Sequence, residues 1–278
     1  MMVVFAKSSY SLEVQIEEKY YALVDYISRL DGAVTAFSGG VDSSLVAFLA
    51  HRILGERALA VTSAAQSLSR ADEELTRTLA ERWGMAHRTI LTKEMDNPNY
   101  RENPTNRCYF CKSTLYADLA NVAKAERLGV VLNGTNLDDL KDFRPGLEAA
   151  KEFGVRSPLS DCQFTKAEIR ELANFLGLDN ADKPQAACLS SRVPYGLSLS
   201  VPMLYQIEKA EAFLHGLGLS QLRVRHHDQI ARIEVPSQDF DQVLAHRVEI
   251  EGAFLELGYK YVTLDLKGFR SGSLNEGL

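Results

Sequence analysis

The heptapeptide Ser38-Gly39-Gly40-Val41-Asp42-Ser43-Ser44 places two glycines and three hydroxyls between the apolar run GAVTAF and the apolar stretch LVAFLAHRIL. Small residues at the end of a strand let backbone N–H groups and the positive end of a helix come close to an anion. A bare strand-to-helix turn needs less than this. The loop lacks the lysine of GxxxxGKS or GxxxxGKT and the glycine spacing of GxGxxG, so neither the ordinary P-loop nor the dinucleotide fingerprint fits. A carboxylate beside polyphosphate requires a cation between them, which makes Asp42 a candidate Mg²⁺ ligand.

Cys108 and Cys111 form a CxxC, with Cys162 and Cys188 further along the chain. Thiolates are soft ligands suited to iron–sulfur or zinc sites, and two cysteines separated by two residues can reach one metal centre. Cys188, from another loop, would be a third ligand and leave one coordination position unfilled. A closed zinc site would want a fourth ligand, from Cys162 or a histidine. Thiol or persulfide sulfur transfer and a structural role stay open. Cys162, in LSDCQF, reads as a small buried hydrophobe.

The elements that position these residues follow from hydrophobic periodicity. Apolar side chains at Leu23, Ile27 and Leu30 suggest a first helix. Strands are expected at GAVTAF, ALAVTSA, HRTILTK and VVLNGT, alternating with helices at LVAFLAHRIL, ADEELTRTLAERWG and CKSTLYADLANVAKAERLG. That alternation predicts an α/β fold with a mostly parallel sheet, which binds ligands at the carboxyl ends of its strands. DNPNYRENPTNRCYF reads as a loop over the site rather than part of the core. Thr165 and Glu168 have capping-box spacing, which sets a helix from about 166 to 176. DNADKPQAACLSSRVPYG reads as a second functional loop. A helix, two strands, a helix and a last strand then make a smaller α+β domain. The expected domains are 15–190 and 200–273, with the boundary near 185 to 200.

At 278 residues, 46% hydrophobic and net charge −6, the chain can bury a sizeable core and offers no generally basic surface for duplex nucleic acid. The N-terminal MMVVFAKSSYSLEVQ shows neither a signal-peptide pattern nor the roughly 20 apolar residues of a membrane span, so a cytoplasmic location is expected.

The loop SGGVDSS resembles the pyrophosphate-binding loop of the PP-loop ATP-using enzymes, also called adenine nucleotide alpha-hydrolase-like. The phrases LNGTNLDDLKDFRPG, SSRVPYG, RVRHHDQIARIEV and TLDLKGFRSG narrow this to the LarE family, ATP-dependent sulfur transferases of nickel-pincer cofactor (lactate racemase) biosynthesis. The resemblance runs from about residue 15 to 275. It implies that Ser38, Gly39, Gly40, Asp42, Ser43 and Ser44 hold the pyrophosphate of ATP, with Mg²⁺ at Asp42. Ser63, in the stretch Val61 to Ala64, and Gly134, in LNGTNLDD, would lie by the adenosine. The implied reaction adenylylates pyridinium-3,5-biscarboxylic acid mononucleotide and converts its carboxylates to thiocarboxylates.

In the familiar LarE form a single cysteine gives up its sulfur. Here the thiol stands four residues before Arg192, one residue closer than in that form, and a CxxC is added. Cys108, Cys111 and Cys188 therefore resemble the branch that binds a [4Fe-4S] cluster with one open iron. Arg144 and Arg192 are candidate anion clamps, with solvated arginines as the alternative. Arg223 and Arg225 alternate on a strand and so share a face suited to phosphate and carboxylates. Arg270 joins them by resemblance alone. Glu211, Glu234 and Asp239 look like acidic positions near a metal or subunit interface in the family, or are ordinary surface carboxylates. His226 and His227 point to opposite faces. Trp83 reads as core or interface, and Tyr109 as a shield beside the two thiols. The resemblance further implies a homo-oligomer, trimer or hexamer, a sulfide donor and other nickel-pincer pathway proteins as partners. A tRNA thiolase, or a non-catalytic nucleotide- or cluster-binding delivery protein, is the competing reading. Against the thiolase stand the negative charge and the phrases RPG, SSRVPYG and GFRSG.

Overall fold

The computed structural model describes residues 13–141, 145–184, 187–270 and 273–275. The chain divides into two compact units. The first comprises Met1–Ala65, Arg70–Glu94 and Asn106–Ala186; the second comprises Gln66–Ser69, Met95–Thr105 and Ala187–Leu278.

In the first unit, β1 (Ala33–Ala36), β2 (Ala58–Ser63), β3 (His87–Ile90) and β4 (Val130–Leu132) form a wholly parallel sheet in the order β3-β2-β1-β4. Its helices are α1 (Val14–Ser28), α2 (Val41–Leu54), α3 (Arg70–Trp83), α5 (Arg107–Glu126), α6 (Gly146–Glu152), α7 (Pro158–Asp161) and α8 (Lys166–Phe175); α4 (Pro98–Arg101) belongs to the second unit. Parallel strands need crossovers, and helices on both faces explain why β1 and α2 read as near-continuous apolar runs. One core packs Leu23, Ile27, Leu45, Leu49, Ile169 and Leu172 together; another joins Val34 and Val61 to Leu119 and Ala123. Trp83 packs edge-on against Phe48 and donates its indole N–H to Asp179. Cys162 packs against the first core, and burial, with Asp161 adding to it, pushes its thiol pKa up.

The N-terminus of α8 carries the capping box that its sequence spells. Thr165 N donates to Glu168 Oε2 at 2.7 Å, and Thr165 Oγ1 accepts from Glu168 N. Thr165→Ala is expected to lower stability by about 1 kcal/mol, read as a shift in the urea midpoint at unchanged m-value.

In the second unit, β5 (Arg223–His227) and β6 (Ile230–Glu234) pair antiparallel, and β7 (Tyr261–Leu264) adds parallel to β6. The sheet is covered by α9 (Val201–Gly216), α10 (Phe240–Ala245) and α11 (Arg247–Glu256). Val224, Ala231 and Ile233 bury into a core with Leu214 and Phe254. The register Arg223↔Glu234, Arg225↔Arg232 and His227↔Ile230 gathers the charged residues on the opposite face.

The Asn- and Pro-rich stretch around residue 100 differs from the expected loop outside the core. Tyr100 is 1% exposed and Asn103 fully buried. Asn103, at φ +56°, donates from its side-chain amide to the carbonyls of Pro194 and Leu197 at 2.7 and 3.0 Å. Tyr100 Oη lies 2.7 Å from Ser190 Oγ. Turn-forming residues signal a loop; their polar groups here instead satisfy the buried carbonyls of another segment.

Candidate functional site

The carboxyl ends of β1, β2 and β4 carry the nucleotide-site candidates of the first unit. Gly39 sits at φ +71°, and a Cβ there would meet Thr76 Cγ2 at 3.1 Å, so this position of the loop requires glycine. Ser43 Oγ accepts from Ser38 N at 3.2 Å and donates to Gly40 O at 3.1 Å, which closes the loop on itself. Val41 then opens α2, whose first N–H groups have no intrahelical acceptor and face an anion's position. Gly134 follows β4, and a Cβ added there would lie 2.6 Å from Ser43 N and 2.9 Å from the Asp42 carbonyl carbon. The backbone that follows β4 therefore lies against the start of α2, forming a cradle that a side chain would fill. This geometry fits polyphosphate. Ser63, at the end of β2, hydrogen-bonds through Oγ to Thr92 Oγ1, which donates to the buried Glu94.

Asn136, within the LNGTNLDD stretch, and two residues that the sequence did not single out, Lys166 and Asn180, complete this site. Asp42 Oδ1 accepts from Asn136 Nδ2 at 3.1 Å, and Oδ2 is paired with the Lys166 ammonium. Asn180 Nδ2 donates to Gly39 O and Ser44 Oγ, both at 2.8 Å, locking the loop onto α2. Asp42 thus already holds a cation supplied by the chain. Lys166 and Asn180 lie 124 and 136 residues from their partners, so local spacing carries no trace of them.

Cys108 and Cys111 fall in the first turns of α5 at i and i+3, on one helical face, Cys108 exposed and Cys111 half-buried. Tyr109 between them donates its hydroxyl to Glu152 at 2.8 Å. Cys188 belongs to the second unit, exposed at the start of the 3-10 turn Leu189–Arg192. The donor chemistry of these thiols fits a soft metal. Among the described residues no three His, Cys, Asp or Glu side chains are grouped to hold a metal ion.

The second unit's arginines are engaged by the protein itself. Arg192 is 5% exposed; its Nε and Nη2 donate to the two oxygens of Glu211, each at 2.9 Å, and Nη1 donates to Cys188 O at 3.0 Å. Arg225 donates from Nε and Nη2 to Glu234 Oε2 at 3.0 and 2.9 Å and from Nη1 to Ser191 O at 2.7 Å. The bidentate Arg192–Glu211 pair and the Arg225–Glu234 pair, whose two donors share one carboxylate oxygen, hold the Cys188 turn from two sides while Cys188 stays exposed. Glu211 and Glu234 are buried structural acceptors rather than surface carboxylates. Asp239 is half-buried just before α10, with no side-chain cap. Arg223 stacks over the Phe269 ring at 5.2 Å, and burial, with Arg192 adding repulsion, lowers its pKa to about 10. Arg270 Nη1 donates to Gly268 O at 2.7 Å. His226 turns inward against Tyr259, and His227 lines an open cavity. Arg144 lies outside the described residues.

The parallel sheet and its glycine-closed loop define the class of PP-loop nucleotide enzymes, and a family model described as NAD synthase matches residues 16–107. The pyridinium-3,5-bisthiocarboxylic acid mononucleotide synthase of Lactiplantibacillus plantarum is 35% identical over 94% of this chain and 95% of its own. A relative from Synechocystis sp., bearing the name of an uncharacterised protein, is 45% identical over 95% of this chain and 99% of its own. One subunit of the glutamine-hydrolyzing GMP synthase of Methanopyrus kandleri is 25% identical over 76% of this chain and 69% of its own. The chain belongs to the LarE family. Among the described residues no helix is long and apolar enough to cross a membrane.

Proposed function

We propose that the protein is an ATP-dependent sulfurtransferase that converts the carboxylates of pyridinium-3,5-biscarboxylic acid mononucleotide to thiocarboxylates for nickel-pincer cofactor biosynthesis. The observation that carries this reading is the cradle in which Gly134 meets the Asp42–Ser43 backbone over the loop. The substrate carboxylate oxygen attacks the α phosphorus of ATP, and the bond to the bridging oxygen breaks with release of pyrophosphate. Sulfide then adds to the acyl carbon, and AMP leaves with the C–O bonding pair. Activation is needed because a carboxylate repels nucleophiles and has no good leaving group.

The chain's own part is to bind and orient. Backbone N–H groups of the loop and the first turn of α2 take the phosphate charge. Asn180 keeps that loop in register. Asp42 would hold Mg²⁺ in place of the Lys166 ammonium, with Asn136 on its other oxygen, and the ion when bound neutralises phosphate oxygens. Cys108, Cys111 and Cys188 would hold a [4Fe-4S] cluster, which when bound supplies a sulfide-carrying iron and spares the protein its own sulfur. Arg192 and Arg225 position the Cys188 turn.

Anaerobic incubation with ATP, Mg²⁺, sulfide and the biscarboxylate mononucleotide is expected to yield the thiocarboxylate by mass spectrometry; its absence sinks the reading, and thiolated tRNA in its place would favour the thiolase. Metal analysis should find about four irons per chain. Alanine at Cys108, Cys111 or Cys188 should deplete both iron and product, while Cys162→Ala leaves both in place. Loss of about one sulfur's mass at Cys188 after a single turnover would replace the cluster with side-chain sacrifice.

A further inference from the structure

Beyond the phosphate cradle, the ends of β2 and β3 carry a chain of two hydroxyls and a carboxylate. Ser63 Oγ lies 2.5 Å from Thr92 Oγ1, and Thr92 Oγ1 donates to Glu94 Oε2 at 2.9 Å. Thr92 is 2% exposed and Glu94 1%, whereas Ser63 is half-buried. The chain is thus closed at its carboxylate end and accessible at its serine end. All three residues belong to the first unit.

The number of protons sets the direction of this chain. A hydroxyl has one proton to give and an ionised carboxylate has none. Glu94 takes the Thr92 proton, so the contact between Ser63 and Thr92 closes with Ser63 donating and Thr92 accepting. Ser63 then has no proton left for a ligand, and its remaining lone pairs accept. A serine hydroxyl without such a partner rotates to meet a donor or an acceptor alike. This one distinguishes between them.

The sheet order β3-β2-β1-β4 sets where the hydroxyl stands relative to the cradle. The cradle joins the loop after β1 to the backbone after β4. On the other side of β1, Ala36 is paired with Val61 and Phe37 N donates to Val61 O at 2.8 Å, so the chain beyond Val61 runs alongside the start of the loop. Ser63 is in turn paired with Ile90 at the end of β3. From the β1–β4 seam to the β2–β3 seam is two strand spacings, about 10 Å, a gap that a nucleoside bridges between its phosphate and the far edge of its base. At that edge adenine presents an amino donor, where a 6-oxo purine presents an acceptor.

We propose that Ser63, held as an acceptor by Thr92 and Glu94, receives a hydrogen bond from the 6-amino group of adenine and so selects ATP against 6-oxo purine triphosphates. Ser63 makes the contact; Thr92 and Glu94 are positioning residues. That the nucleotide is there to adenylylate a carboxylate rests on the function proposed above.

Equilibrium dialysis of the full chain with Mg²⁺ and no sulfur acceptor tests the assignment, with ATP, inosine triphosphate and 2′-deoxyATP as separate probes. ATP and 2′-deoxyATP are expected to bind alike, and inosine triphosphate about tenfold more weakly. Ser63→Ala should weaken ATP about tenfold and leave inosine triphosphate unchanged. Thr92→Val frees the Ser63 proton to turn toward a carbonyl, so inosine triphosphate should bind more tightly while ATP binds less tightly. Loosening of the fold would weaken both. Ser63→Ala leaves Thr92 donating to Glu94, which keeps the test valid should Thr92→Val misfold.

Equal affinity for ATP and inosine triphosphate overturns the inference, as does an unchanged ratio of the two in Ser63→Ala. Weak binding of 2′-deoxyATP that Ser63→Ala abolishes as a difference would move the donor to the ribose and overturn the assignment to the base. A protein that makes thiocarboxylate equally well from ATP and inosine triphosphate keeps its proposed function and loses this inference. One that selects ATP through Ser63 and makes no thiocarboxylate keeps the inference and loses the function.

Discussion

Gly134→Ala is expected to reduce ATP-dependent pyrophosphate release at least 100-fold while leaving the protein folded. The new Cβ would sit 2.6 Å from Ser43 N and 2.9 Å from the Asp42 carbonyl carbon, and both obstacles are backbone. No rotamer relieves such a clash, so the end of β4 and the start of α2 must separate. The overpacking costs about 1–3 kcal/mol, within what a domain tolerates. Its larger effect falls on the loop, because a shift of about 1 Å in a positioning group costs on the order of 100-fold in rate. Pyrophosphate release, alongside far-UV circular dichroism, checks the prediction. Wild-type release from a folded variant would show that the end of β4 and the start of α2 do not act together on the nucleotide.

The second large effect is on stability. Glu234 is fully buried and accepts from Arg225 at 2.9 and 3.0 Å, from Arg232 at 3.1 Å and from Ser273 at 3.1 Å. Glu234→Ala leaves the buried Arg225 guanidinium without its counter-charge, beside Arg223 and Arg232. Breaking a buried pair from one side costs about 3–5 kcal/mol, a large share of the stability of a small unit. Urea unfolding followed by a probe in the second unit should show a lowered midpoint or no folded baseline. Since Arg225 also holds Ser191 O, the Cys188 turn should loosen, read as faster alkylation of Cys188. A change under about 1 kcal/mol would mean that water replaces the carboxylate, and that the pair is not what holds the turn.

Much of the first unit is legible because its signals are local. GAVTAF followed by SGGVDSS marks β1, the loop and the start of α2 within about a dozen residues, and Thr165 with Glu168 states its own cap. Strand period also separates His226 from His227. The segment around Tyr100 and Asn103 departs from its expected loop for a corresponding reason. Asn and Pro signal a turn whether their polar groups meet water or the carbonyls of Pro194 and Leu197.

By itself the sequence determined the alternation of strands and helices, the glycine loop at the end of β1, and the candidate thiols. These follow from backbone geometry and side-chain period, which act over a few residues. Only the tertiary structure decided which charge meets which. It paired Asp42 with Lys166 and made Glu211 and Glu234, open in the sequence between a metal or subunit interface and the plain surface, the buried partners of Arg192 and Arg225. Charge pairing depends on distance in space and on removal from water, and neither is written in the spacing of residues along the chain.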